Sequence, residues 1–308
     1  MKGMVINMRR HVSVSRRIFE IINTLLFIGV ILACILPVWH VVCASFSDAG
    51  WVIGQSGLIW RIKGFTLKGY MLVFQNKDLI TGYLNTFFYV ITATALGMLL
   101  TVMAAYALSR KNVLWANAIM FIITFTMMFN GGMIAYYIVI TKGLHMFDTR
   151  LALILPVCFS AYNMIIVRTA MVGLPESLVE SAKLDGAGDF TILFKIVLPL
   201  MKATIATVIL YYVVAHWNSW FQASIFLRDR AKYPLQLVLK EILVTGDVST
   251  TMTGSSNVNT SNFSGDLILY KQTVKYCIIV VSTLPIFIFY PFVQKHFESG
   301  VMIGAIKG

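Results

Sequence analysis

A chain of 308 residues with 58% hydrophobic and only 12% charged residues, at a mean hydropathy of +0.79, is too apolar for a soluble domain. Several apolar runs reach the roughly 18 residues needed to cross a bilayer, which makes it an all-α polytopic membrane protein. The net charge of +12 lies in loops and tails, where it serves orientation and contact with anionic headgroups and argues against nucleic acid as a partner.

In chain order, residues 1–17 form a basic tail with Lys2, Arg9, Arg10, Arg16 and Arg17 and no acid before Glu20. Such a tail stays cytoplasmic. The first apolar run is too long for a signal-peptide core and reads as an uncleaved span over about 18–39. Residues 44–81 are more polar and fall outside. A second span covers about 83–108 and closes with the basic turn Ser109-Arg110-Lys111-Asn112. A third, 113–137, is interrupted by Asn130-Gly131-Gly132, which should bend or end a helix. A fourth, 151–171, has Pro156 as an expected kink and Arg168 at its inner end. A fifth follows at 205–227 and a sixth at 274–293. The Ser/Thr/Asn/Gly-rich stretch 248–265 has too little apolar surface to fold alone, and residues 294–308 are a second cytoplasmic tail. Six spans thus occupy a transmembrane domain over 18–293. Basic residues divide almost evenly between the two sides, so this topology rests on the acid-free tail and the short Arg-Lys turn.

Between spans four and five, residues 175–204 are too charged for a bilayer. Glu176, Glu180, Lys183, Asp185, Asp189, Lys195 and Lys202 stand among apolar residues at helical spacing, and Gly186 and Gly188 divide the segment into two short helices. It reads as a cytoplasmic docking element for another protein.

No nucleotide-binding GxxxxGK[ST] run is present, nor GxSxG or HExxH, so no catalytic residues, cofactor or metal are expected. The four cysteines are scattered, without disulfide or metal spacing, and the five histidines are isolated, reading as headgroup-level or loop residues. The expected spans hold no Asp, and their only Glu is Glu20 at the edge of the first. Ion-coupled carriers usually need buried carboxylates, so energy supplied from outside the chain, or a passive role, is expected. One stretch of span five, His216-Trp217-Asn218-Ser219-Trp220-Phe221-Gln222, has two readings. It is an interfacial aromatic belt, or Trp217, Asn218, Trp220 and Gln222 line a pathway for an uncharged polyhydroxylated solute. Tyr162, Asn163 and Asn130 are weaker candidates of the same kind.

The spacing Glu180-Ser181-Ala182, three residues, Gly186, nine residues, Ile196-Val197-Leu198-Pro199 resembles the EAA-x3-G-x9-I-x-L-P signature of bacterial ABC importer permeases. Ser181 stands where Ala is usual. Leu174-Pro175-Glu176, Asp185-Gly186-Ala187 and Trp217-Asn218 are similar to the maltose-type carbohydrate permeases. FNGGMIAYY (129–137), DTRLALILP (148–156), KYPLQLVLKEIL (232–243) and GVMIGAIKG (300–308) are similar to the LplC-like and YtcP-like branch. The resemblance implies a type I, MetI-like permease in the bacterial cytoplasmic membrane with both termini inside. Its partners would be a second homologous permease, an ABC ATPase dimer and an extracellular solute-binding lipoprotein, with an oligosaccharide as substrate. It implies ATPase coupling through Glu180, Ser181, Ala182, Leu184, Asp185, Gly186, Ala187, Gly188, Phe190, Ile196, Leu198 and Pro199, with Glu180 to Ala187 and Asp189 to Ile196 as paired helices. Leu184, Ala187 and Phe190 would fill the ATPase cleft, and Gly304 to Gly308 would also touch it. The alternatives are a permease for peptides or lipid-linked solutes, a membrane enzyme or assembly factor, and a self-powered secondary carrier.

Overall fold

The computed structural model describes residues 14–110, 112–129, 131–245 and 273–291. Asn130, the stretch 248–265, the C-terminal tail and most of the basic N-terminal tail lie outside the described residues.

Apolar length and punctuation decide the elements. Helix α1, Val14–Ser45, contains Pro37, and its side chains are exposed except in its last turns, where Cys43, Ala44 and Ser45 are buried. An apolar helix exposed along most of its length suits a lipid surface. The segment after α1 then folds back on itself, Asp48 N–H bonding the Lys63 carbonyl and Thr66 N–H that of Phe46. Asp48 caps the short helix α2, Ala49–Ile53, by accepting the N–H groups of Gly50 and Trp51, and α3 is Lys68–Gln75.

Helix α4, Lys77–Ser109, is the spine. The Asn76 side chain caps it through the N–H groups of Asp78 and Leu79, and its 33 residues run about 50 Å at 1.5 Å per residue. The next helices are α5, Ala116–Met128, and α6, Gly132–Ile138, prolonged by a π turn, Val139–Gly143. The two are bent by 114° at the expected break. Span four is shorter in α-helix than its sequence suggests. Two 3-10 turns, Arg150–Leu153 and Leu155–Val157, the second containing Pro156, precede α7, Ala161–Val172.

The charged segment forms α8, Glu176–Leu184, and α9, Asp189–Ile192. From α9 the chain passes through a π turn, Leu193–Val197, into α10, Leu198–Leu200. It then turns by 87° into α11, Lys202–Trp217. Helices α12, Trp220–Phe226, and α13, Leu235–Thr245, follow, and α14 is Thr273–Pro291. Among the described residues α1, α4 and α14 are each long and apolar enough to cross a membrane, and up to six crossings result if each bent pair is one span.

Helix α4 ties two cores together. Its first half packs with α13 and α14 around Leu79, Val90, Leu235, Val238, Ile242 and Ile278. Its second half packs with α7, the charged segment and α11 around Val102, Ala105, Met164, Val167, Ile192 and Val208. The closest approach is at Gly97, where a β-carbon would lie 2.4 Å from the Cys158 carbonyl oxygen and 3.1 Å from the Tyr212 ring. No larger residue lets α4 pack there against α11 and the turn that precedes α7.

Candidate coupling segment and solute cavity

The charged segment is two-faced. Ala182, Ile192, Leu193 and Val197 are buried in the core shared by α4, α7 and α11, with Ala187, Ile196 and Leu198 packed against it. Burying a side chain such as Ile192 contributes about 1.5–3 kcal/mol, so this face holds the segment to the bundle. The other face is open: Leu184 is 90% and Phe190 66% exposed, beside exposed Glu180, Ser181 and Asp185. Of the three residues expected to fill a partner's cleft, Leu184 and Phe190 stand free, while Ala187 is half-buried against its own chain.

Gly186 has a physical reason to be glycine. Its φ of 79° is left-handed, a conformation disfavoured for other L-residues. The turn places the Gly186 N–H on the Lys183 carbonyl (3.0 Å) and the Ala187 N–H on that of Ala182 (2.9 Å). These are the paired bonds of a Schellman motif, which satisfy the last carbonyls of α8. Ser181, the departure from the usual Ala, donates its hydroxyl to the Ser177 carbonyl within the same helix, so it asks for no outside partner. The second arm differs from a simple helix, since the π turn begins four residues after its start; such turns widen a helix locally and recur at functional sites.

Three contacts connect this segment and its neighbours. Lys183 Nζ lies 4.0 Å from Asp189 Oδ1, bridging the two arms. Tyr106, near the end of α4, donates to Asp189 Oδ1 at 3.4 Å. Arg168 Nε donates to the Leu108 carbonyl at 2.9 Å, fixing α7 to the C-terminal end of α4.

At the other end of α4 the loops carrying Asp148 and Arg228 to Lys232 are clamped together. Asp148 accepts the N–H groups of Arg228 and Asp229, both at 3.0 Å, and Lys232 Nζ at 3.2 Å. Those backbone donors, Asp229 first and Arg228 next, and then Lys232, hold the Asp148 carboxyl below the usual carboxylate range. Arg230 bridges Asp78 and Glu241, and Asn85 donates to the carbonyls of Ala231 and Tyr233.

Between α7, α11 and α12 lies a cavity of about 380 Å³ walled by Tyr162, Asn163, Tyr211, His216, Ser219 and Gln222 among others. The Tyr212 hydroxyl organises its floor, sharing a 2.7 Å hydrogen bond with Thr101 of α4 and accepting the Ser160 N–H at 3.0 Å. His216 is 5% exposed, stacks parallel to Tyr212, and its Nε2 has no hydrogen-bond partner. A buried polar atom left unpaired is costly, and this one belongs to a residue of the cavity wall.

The polar-aromatic stretch of span five is thus distributed. Gln222 and Asn163 reach the cavity. Trp217 is buried on another side, edge-on to Phe87, Asn218 bonds back to the Val214 carbonyl, and Trp220 lies under Lys240 Nζ at 4.3 Å. Helix α11 stops at Trp217 and α12 restarts at Trp220, so helical spacing fails across the stretch. His216 is buried within the chain. Tyr211 carried no sequence signal beyond being an aromatic residue in an apolar run.

Residues 97–303 match the family described as binding-protein-dependent transport system inner membrane component. The chain is 37% identical over 294 residues to the polygalacturonan/rhamnogalacturonan transport system permease protein YtcP of Bacillus subtilis, covering 96% of this chain and all of that one. It is 36% identical to protein LplC of the same organism, over 97% of this chain and 98% of that one. Among solved structures, it superposes with a TM-score of 0.81 and 33% identity on a chain of a bacterial ABC transporter involved in the import of the acidic polysaccharide alginate, covering 93% of this chain and 99% of that one. The two-faced segment between α7 and α11, the apolar bundle and these likenesses lead to one conclusion: the chain belongs to the family of binding-protein-dependent transport system inner membrane components.

Proposed function

We propose that the chain is one permease subunit of an ATP-driven importer of oligosaccharides. It forms half of the pathway and takes its energy from a separate ATPase that docks on the segment Glu176 to Leu200. The observation that carries this is the segment's two-sidedness. Leu184 and Phe190 are large, apolar and open, on a hairpin whose other face is packed into the core of α4, α7 and α11. A partner gripping the open face moves the packed face with it.

The remaining parts follow from that role. Both termini and the segment are cytoplasmic, and a homologous second permease completes the pathway. A solute-binding protein delivers substrate at the clamped outer end, and ATP chemistry belongs to the partner, leaving this chain a transport component rather than an enzyme. The cavity beside His216, with Asn163, Gln222 and two tyrosines on its wall, offers hydrogen-bonding groups and ring faces suited to a sugar. The sugar class is supported by the likeness to a polygalacturonan/rhamnogalacturonan permease and to a transporter that imports the acidic polysaccharide alginate.

The test is reconstitution of the full complex in proteoliposomes. Uptake of a labelled oligosaccharide should require ATP, the ATPase and the loaded binding protein together. Uptake by this chain alone would overturn the reading.

A further inference from the structure

A second cavity, of about 560 Å³, opens beneath the inner ends of α4 and α7. We propose that it binds the phosphate headgroup of an anionic phospholipid of the inner leaflet, an inference that rests on the reading above for which end is cytoplasmic.

Its wall includes Ser109, Arg110, Trp115, Asn117, Arg168 and Glu176. Arg110 Nε is buried without a hydrogen-bond partner, and its guanidinium lies 4.3 Å from the centre of the Tyr106 ring. Arg168 uses its Nε on the Leu108 carbonyl, which leaves the two ends of its fork. Neither guanidinium is in an ion pair among the described residues. Two planar cations against the single lining carboxylate of Glu176 leave the wall net positive, and guanidinium forks match phosphate oxygens geometrically. The volume falls within the range of small-molecule sites.

The surroundings favour a lipid over a soluble anion. Leu114 and Trp115, on the turn that leads into α5, are 83% and 79% exposed, and tryptophan concentrates at the membrane–water boundary. Trp115 has a φ of 65°, a left-handed conformation that is strained for a bulky residue and recurs at ligand sites. It holds the indole at the rim of the cavity. Helix α4, about 50 Å long, exceeds the roughly 30 Å hydrocarbon core, which brings its last turn to headgroup level.

A headgroup here would brace the coupling machinery. Arg110 covers Tyr106, Tyr106 holds Asp189 of α9, and Glu176 and Val179 of α8 stand in the same wall. Occupancy then stiffens the base of both arms.

The test uses the complete complex with its partner permease and ATPase. Native mass spectrometry should find phosphatidylglycerol retained by the wild type, and R110Q should retain it about fivefold less, the factor equivalent to about 1 kcal/mol per basic residue near an anionic surface. N117F, which fills the cavity and leaves both arginines, should displace the lipid too and covers the case in which R110Q does not assemble. In nanodiscs, solute-stimulated ATP hydrolysis should rise when phosphatidylglycerol replaces part of the phosphatidylcholine, and rise less in either variant. Equal retention and equal lipid response in wild type and variants would overturn the proposal. So would full stimulation by inorganic phosphate in phosphatidylcholine alone, or crosslinking of N117C to a partner subunit in place of lipid. Lipid retention reads the site directly, so its failure would leave ATPase coupling untouched, and a failure of coupling would leave retention intact.

Discussion

The hydroxyl of Tyr106, one turn from the end of α4, donates to the carboxylate of Asp189, the first residue of α9. The spine of the bundle and the second arm of the coupling segment are therefore joined directly, in addition to their shared core. Removing that hydroxyl with Y106F should keep the complex assembled and lower ATP-driven uptake about two- to tenfold, the range that a net hydrogen-bond contribution of about 0.5–1.5 kcal/mol allows. Uptake and ATPase co-purification measured on the same preparation would check it; unchanged uptake would remove the bond from the transmission path.

Gly186 is open space around a left-handed backbone, with nothing within 4 Å of an added β-carbon. Its substitution penalty is therefore conformational rather than steric. G186V should strain the turn by about 1–2 kcal/mol, reorient α8 against α9 and weaken ATPase association, whereas G186N, which tolerates this region, should do so less. Pull-down of the ATPase by the permease separates the two variants.

Leu184 and Phe190 touch little of their own chain. L184D and F190D should leave the thermal stability of the isolated permease within about 0.5 kcal/mol and yet abolish ATPase binding, and E180K should weaken it. Ile192→Asp, on the packed face, should instead lower stability by several kcal/mol, because it buries a charge. ATPase binding retained in L184D and F190D would refute the docking face.

The clamp at Asp148 has a defined acid limit. Asp148 has a folded pKa depressed below the ordinary value, chiefly by the N–H groups of Asp229 and Arg228. A depressed carboxylate stabilises above its unfolded pKa of about 3.9 and loses that contribution as pH falls through the lower folded value. The clamp should hold throughout the neutral and mildly acidic range. Melting temperature against pH should show an acid decline in the wild type that is reduced in D148A, which should also melt lower at neutral pH.

His216 offers a test of the cavity. H216L should raise the solute-loaded binding protein concentration needed for half-maximal uptake, with assembly and basal ATP hydrolysis unchanged, and H216Q should restore part of the loss through its amide donor. Identical uptake curves for all three proteins would take the cavity off the pathway.

The coupling segment was legible in sequence because its logic is local. Glu180, Gly186 and Pro199 lie within one short run, and a left-handed glycine closing an amphipathic turn leaves a spacing that can be read along the chain. The cavity was legible only in part. Asn163 and Gln222 stood out as polar residues in apolar spans, but fully apolar helices carry no periodicity that shows which side faces inward. Trp217 and Trp220 stood out equally and lie away from it: Trp217 packs on another side of α11, and the break at Asn218 and Ser219 resets the helical phase before Trp220.

Sequence by itself determined that this chain lives in a membrane, where its charged segment lies, and that its expected spans lack the carboxylates of an ion-coupled carrier. Those properties follow from side-chain transfer energies and from backbone preferences, which act over a few residues. Tertiary structure decided which face of the segment is buried, that Tyr106 reaches Asp189, and that His216 is sealed into a cavity with Tyr162 and Tyr211. These depend on how α4 meets α11 and the turn before α7 at Gly97, and close packing between elements distant in the chain is set by shape rather than by pattern.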